Sequence, residues 1–129
     1  MVEINKGNIE KGLLLSMFWN KTQEIKYPVI PVCVQNVETK EVLSIMYMDE
    51  KAFKISRETK ILTLFTTSRG RIWVKGEESG NTFEIVEFRV NCEMNSLLCL
   101  VRQKNKGICH VFNEKGEPHN TCYYRKVDE

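Results

Sequence analysis

Cys92, Cys109, His110, His119 and Cys122 fall within the last third of a 129-residue chain. Thiolates and imidazoles are the ligands that zinc prefers, and a catalytic zinc takes three protein ligands while leaving a fourth position for water. Three cysteines supplied by separate connections suit that arrangement. No Cys-x-x-Cys pair occurs, so this is not the spacing of a zinc finger. Spacing by itself leaves a structural or accidental cluster open. Around Cys92, the residues Asn91, Glu93 and Asn95 recur with period two. Alternate strand residues share a face and can gather oxygen ligands around a hard cation. Only one of the three is a carboxylate, which makes a poor magnesium site.

A second concentration of chemistry lies at residues 68–81. It holds Gly70, Gly76 and Gly80, the cations Arg69, Arg71 and Lys75, and Trp73, all directly after an apolar run. Glycine lets the backbone approach a ligand, and exposed amides beside Arg and Lys suit phosphate. Ser68, Ser79 and Asn81 add polar groups. On composition alone the stretch also reads as a wide hairpin turn with a charged tip.

Elements must position these groups. Residues 1–25 read as a helix with Ile9, Leu13 and Met17 on one stripe, covering a face of a sheet. Residues 29–36 and 42–48 are rich in Val, Ile and Leu and predict two strands paired as a hairpin, with Cys33 in the core. Asp49 caps a helix expected to reach about Thr59 and to bury Ala52, Phe53 and Ile55. Residues 61–67, 83–90 and 97–103 predict further strands, the first feeding directly into the Gly-rich stretch.

Composition narrows the classes. The hydrophobic fraction of 42% and charged fraction of 28% are those of an ordinary globular protein. A net charge of +2 gives no global case for nucleic acid as a partner. No apolar run approaches membrane-spanning length, so a membrane is not an expected partner either, and the expected location is the cytoplasm. Five cysteines, an odd number without a secretory leader, argue for free thiols or metal ligands over disulfides.

Residues 28–125 resemble the phosphoribosyl-AMP cyclohydrolase family. The resemblance rests on Tyr47-Met48 before an acidic helix start and on the Ser-Arg-Gly-Arg-x-Trp-x-Lys-Gly-Glu-x-Ser-Gly-Asn string of residues 68–81. Cys92, Cys109-His110 and the terminal Cys122-Tyr123-Tyr124-Arg125 complete it. The elements above make a single α+β domain, mostly β, with antiparallel sheets, an N-terminal helical cover over residues 1–27 and one short internal helix. The resemblance adds an intertwined homodimer. It also implies hydrolytic opening of the N1–C6 bond of an N1-ribosylated adenine nucleotide, in histidine biosynthesis. Zinc would be held by Cys92, Cys109 and Cys122 and shared between subunits, with His110 moving a proton. Ser68, Arg69, Arg71, Trp73, Lys75, Gly76, Ser79, Gly80 and Asn81 would bind the substrate.

Three departures stand out. The family carries aspartates where this chain has Asn91, Glu93 and Asn95, so magnesium is a doubtful second metal. It carries Arg where Thr67 stands. After Cys109-His110 it continues with Thr-Gly and a short turn, whereas here residues 110–121 separate Cys109 from Cys122. These departures keep two alternatives open. One is a zinc amidohydrolase of a different purine-like nucleotide or specialised metabolite. The other is a non-catalytic, zinc-stapled nucleotide-binding dimer.

Overall fold

The structure is a computed structural model, and it describes residues 28–104, 107–109 and 111–127. The helix expected over residues 1–25 lies outside the described residues. Six strands and one helix follow in order: β1 (Ile30–Asn36), β2 (Val42–Met48), α1 (Glu50–Thr59), β3 (Thr63–Thr66), β4 (Arg71–Val74), β5 (Phe83–Val90) and β6 (Leu97–Gln103). The chain is α+β and mostly β.

β1 alternates as its composition dictates. Ile30, Val32 and Val34 are buried, and the residues between them face the other way. Cys33, expected in the core, therefore lies on the outer face and is only half-buried. β1 pairs antiparallel with β2 around a tight turn at residues 37–40, where the Asn36 side-chain carbonyl accepts from the backbone N–H groups of Glu38 and Thr39. β5 and β6 form a second antiparallel hairpin. The two hairpins join through a parallel β1–β6 pair, giving a four-stranded sheet of order β2-β1-β6-β5. That parallel pair departs from the all-antiparallel expectation. It is reached by a crossover that contains α1 and the small β3–β4 sheet, a connection long enough to return the chain in the same direction.

α1 begins where the sequence places it. The Asp49 carboxylate accepts from the Ala52 N–H at 2.7 Å, and Lys60 in left-handed conformation ends the helix with its N–H on the Ser56 carbonyl. The helix buries Ala52, Phe53 and, instead of Ile55, Ser56. The Ser56 hydroxyl donates to the Thr63 carbonyl at 2.9 Å and accepts from the Thr63 N–H at 3.0 Å, which ties α1 to β3. Two backbone bonds, Leu62 N–H to Phe83 carbonyl and Ile85 N–H to Lys60 carbonyl, dock this unit onto β5. One apolar core runs beneath α1 and between the sheets, with Leu62, Leu64, Phe83 and Val101 fully enclosed.

Candidate active site

The stretch expected as a loop is only partly one. Residues 71–74 are β4, paired antiparallel with β3 so that Leu64 faces Trp73 and Thr66 faces Arg71. The period of two then places Arg71 and Trp73 on the same face of β4, and both line one cleft with Lys75. Arg71 is exposed, Trp73 is half-buried against the core and Lys75 is buried. The cleft thus runs from a cationic mouth to an ammonium at its floor. Beyond β4, the Lys75 N–H donates to the Leu62 carbonyl and the Gly80 N–H to the Gly76 carbonyl, folding residues 75–81 back on themselves. Gly76 has φ +85°, and a Cβ there would lie 2.1 Å from the Asn81 carbonyl oxygen, so only glycine permits the turn.

The cleft has a volume of about 510 Å3, a size suited to a small ligand. Its lining draws Arg69, Arg71, Gly76, Glu77, Glu78 and Ser79 from the phosphate-type stretch, and Ile108, Cys109, Phe112 and Pro118 from the tail. Asn81 bridges the two: its side-chain amide donates to the Gly107 carbonyl. Ser68 and Gly80 stand outside the lining, Ser68 being bonded to the Thr66 hydroxyl.

Lys75 is the electrostatic hinge of the site. Burial pulls its ammonium below the usual lysine range, while Cys122 and then Cys109 pull it back up. The Nζ atom lies 5.4 Å from the centroid of the Trp73 ring, within cation–π range. It is more buried than Arg69 and Arg71, in the same cleft as Trp73 and Cys109.

Cys109 and Cys122 reach this place through the tail. The N–H groups of Ile108 and Cys109 both donate to the His119 carbonyl, at 2.9 and 3.1 Å. The Thr121 hydroxyl donates to the Val42 carbonyl and the Cys122 N–H to that of Leu43, so the tail covers the edge of β2. The His119 ring stacks on Tyr124 at 3.7 Å. His110 lies outside the described residues.

Cys92 does not join its two counterparts. It is exposed in the turn after β5, beside the start of β6, whereas Cys109 follows the far end of that strand. Cys122 is fixed to Leu43, at the start of β2, which lies beside Val34 and Gln35 of β1 and so level with Cys99 and Leu100 of β6. The seven residues of β6 put roughly 20 Å between the turn that holds Cys92 and the strand end that Cys109 follows. Among the described residues, no three His, Cys, Asp or Glu side chains gather at metal-binding distance within one chain. As a donor set, two partly buried free thiols and an exposed free thiol apart from them suit zinc if two copies of the chain present them to each other.

The segment around Cys92 is a turn between β5 and β6, so Asn91, Glu93 and Asn95 do not share a strand face. The Asn91 side-chain oxygen accepts from the backbone N–H groups of Asn95 and Ser96 at 2.9 and 3.0 Å, and its amide donates to the Asn95 side-chain oxygen at 2.6 Å. Met94, at φ +55°, turns its side chain into the core. The oxygens of Asn91 and Asn95 are thus committed to the turn, and Glu93 is the one carboxylate present. This donor set does not fit magnesium.

Fold and cleft define a small, mostly β protein whose nucleotide-sized site has an arginine mouth, an aromatic middle and a lysine–thiol floor. A family model described as Phosphoribosyl-AMP cyclohydrolase matches residues 44–124. A phosphoribosyl-AMP cyclohydrolase of Methanocella arvoryzae is 39% identical over 105 residues, covering 81% of this chain and 82% of its own. One of Archaeoglobus fulgidus is 40% identical over 100 residues, covering 78% and 86%. The chain belongs to the phosphoribosyl-AMP cyclohydrolase family, hydrolases that act on a cyclic amidine C–N bond. The cleft residues that sequence reasoning passed over are Glu77, Glu78, Ile108, Phe112 and Pro118. The signal for Phe112 was present: an aromatic side chain inside an otherwise polar excursion between two cysteines.

Proposed function

We propose that this chain opens the N1–C6 bond of the adenine ring of phosphoribosyl-AMP as a zinc-dependent homodimer, a cytoplasmic step of histidine biosynthesis. The observation that carries the reading is the convergence of Arg71, Trp73 and Lys75 with Cys109 in one cleft, in a chain of this family. Arg69, Arg71 and Ser79 bind phosphate oxygens at the mouth, where charge-assisted hydrogen bonds are available from solvent-facing side chains. Trp73 offers its free face to the purine. Lys75 holds a positive charge at the floor, where negative charge develops as water adds to C6. His110, next to Cys109 in sequence, delivers a proton to N1 as that nitrogen leaves.

Cys109 and Cys122 of one subunit, with Cys92 of a second copy, would hold the zinc. When bound, zinc supplies the Lewis acidity that makes water a nucleophile at neutral pH. Magnesium has no part in this reading, because the set at residues 91–95 does not fit it.

Purified protein is expected to contain one zinc per chain, to convert phosphoribosyl-AMP with the absorbance change of ring opening, and to gain nothing from added magnesium. Zinc-loaded protein inert towards phosphoribosyl-AMP would sink the reading. Turnover confined to another purine nucleotide would favour a reshaped specificity, for which the altered tail facing the cleft is the structural ground.

A further inference from the structure

Residues 107–109 and 111–119 form the two sides of a hairpin whose shape is fixed by its own hydrogen bonds. The Asn113 side-chain oxygen accepts from the Lys115 and Glu117 N–H groups at 2.9 and 3.1 Å, and the Asn113 N–H donates to the Glu117 carbonyl at 2.7 Å. Phe112 bridges Pro118 across the hairpin, and the His119 N–H closes it on the Val111 carbonyl. The base is pressed against Gly107, where a Cβ would meet the Pro118 carbonyl at 2.6 Å. Gly107 in turn accepts the Asn81 amide. Phe112 is therefore held in a set position relative to residues 76–81.

Nothing in this hairpin needs an aromatic ring at position 112. Phe112 is 62% exposed, and among the described residues no ring or cation packs on it. Yet it lines the same cleft as Arg69, Arg71 and Trp73. An exposed ring on a rigid support, beside a cleft with one cationic end, is a platform for the planar part of an anionic ligand.

We propose that Phe112 is a specificity-determining residue that recognises the purine of a nucleotide held at its phosphate end by Arg69 and Arg71. The inference rests on the function proposed above and adds a residue of the inserted hairpin to it.

The test is calorimetric titration of the full-length, zinc-loaded protein with AMP and with ribose 5-phosphate, which lacks the base. Phe112→Ala should weaken AMP about 10-fold, within the range that base–aromatic stacking supplies, and leave ribose 5-phosphate unchanged. Phe112→Tyr should retain AMP affinity. Unchanged AMP affinity in Phe112→Ala overturns this inference alone, as does an equal loss for both ligands or a loss of the dimer with no change in discrimination. A wild-type protein that binds neither ligand overturns both this inference and the proposed function. A loss confined to AMP, in a protein that does not turn over phosphoribosyl-AMP, upholds Phe112 and overturns the proposed reaction.

Discussion

Arg71, Trp73 and Lys75 are two residues apart, and the pleat of β4 turns that spacing into a gradient of burial along one wall. Their functions should separate accordingly. Arg71 is solvent-facing, and among the described residues its guanidinium makes one hydrogen bond, to the Ile72 carbonyl at 3.4 Å. Arg71→Ala should raise KM about 10- to 100-fold, the worth of a charge-assisted hydrogen bond or two, with the melting temperature unchanged. Steady-state kinetics beside a thermal melt checks both halves. Cys99 gives a contrasting case, a thiol with no part in the site. It is fully buried, paired across from Val34 and Phe88, and burial pushes its pKa up to about 12 from an ordinary 9.0. A group whose folded pKa is raised keeps its proton in the folded state after the unfolded chain has lost it. Stability should therefore fall as pH rises from about 9 to about 12, by about 1.4 kcal/mol per unit from this one thiol. Urea titrations at pH 8 and pH 10 should show that decrement in the wild type and its absence in Cys99→Ala.

At the scale of elements, local signals were legible and long-range pairings were not. Asp49 as a cap, the β1–β2 hairpin and the strands at β5 and β6 follow from side-chain type and period over a few residues. β4 was hidden because its four residues sit between glycines and charges, and only its partner β3 makes them a strand. The parallel β1–β6 pair joins positions more than sixty residues apart, and no local pattern encodes it. Residues 91–95 read as a break between two strands, and Asn91 makes that break by bonding its own backbone neighbours. The phosphate-type composition of residues 68–81 was legible, whereas the order of their burial was not. Glycine makes that order testable. Gly76 and Gly80 both have positive φ, near +85° and +78°, but a Cβ at Gly76 meets the Asn81 backbone while one at Gly80 meets open space. Gly80→Ala should cost about 1 kcal/mol for the left-handed backbone alone. Gly76→Ala must displace the Asn81 backbone as well. It should cost on the order of 3 kcal/mol and also abolish AMP binding. Chemical denaturation of the two variants side by side measures the difference, and equal costs would contradict this account of the turn.

At the scale of the whole molecule, the separate placement of the thiols is the fact with the largest consequence. Cys109 follows the end of β6 and Cys122 is fixed to the start of β2, whereas Cys92 stands in the turn before β6. One chain cannot close the proposed zinc site on itself without breaking β5 from β6, the hairpin that carries Phe83 and Val101 into the core. Two copies can, if each gives its Cys92 to the other. The exposed outer residues Ile45 and Tyr47 of β2 leave apolar surface for such an association. This arrangement makes a prediction that a self-contained site does not. Cys92→Ser and Cys109→Ser should each be inactive as homodimers. In a mixed dimer of the two, one site draws its wild-type Cys92 from one chain and its wild-type Cys109 and Cys122 from the other, and is whole. The second site carries both lesions. Co-expression in equal amounts should thus restore about a quarter of wild-type activity, since about half of the dimers are mixed and each has one intact site of two. Zinc content should recover in the same proportion. Activity and zinc that stay at the level of the single variants, in a preparation shown by mass to contain mixed dimers, would place each site within one chain and overturn the shared centre.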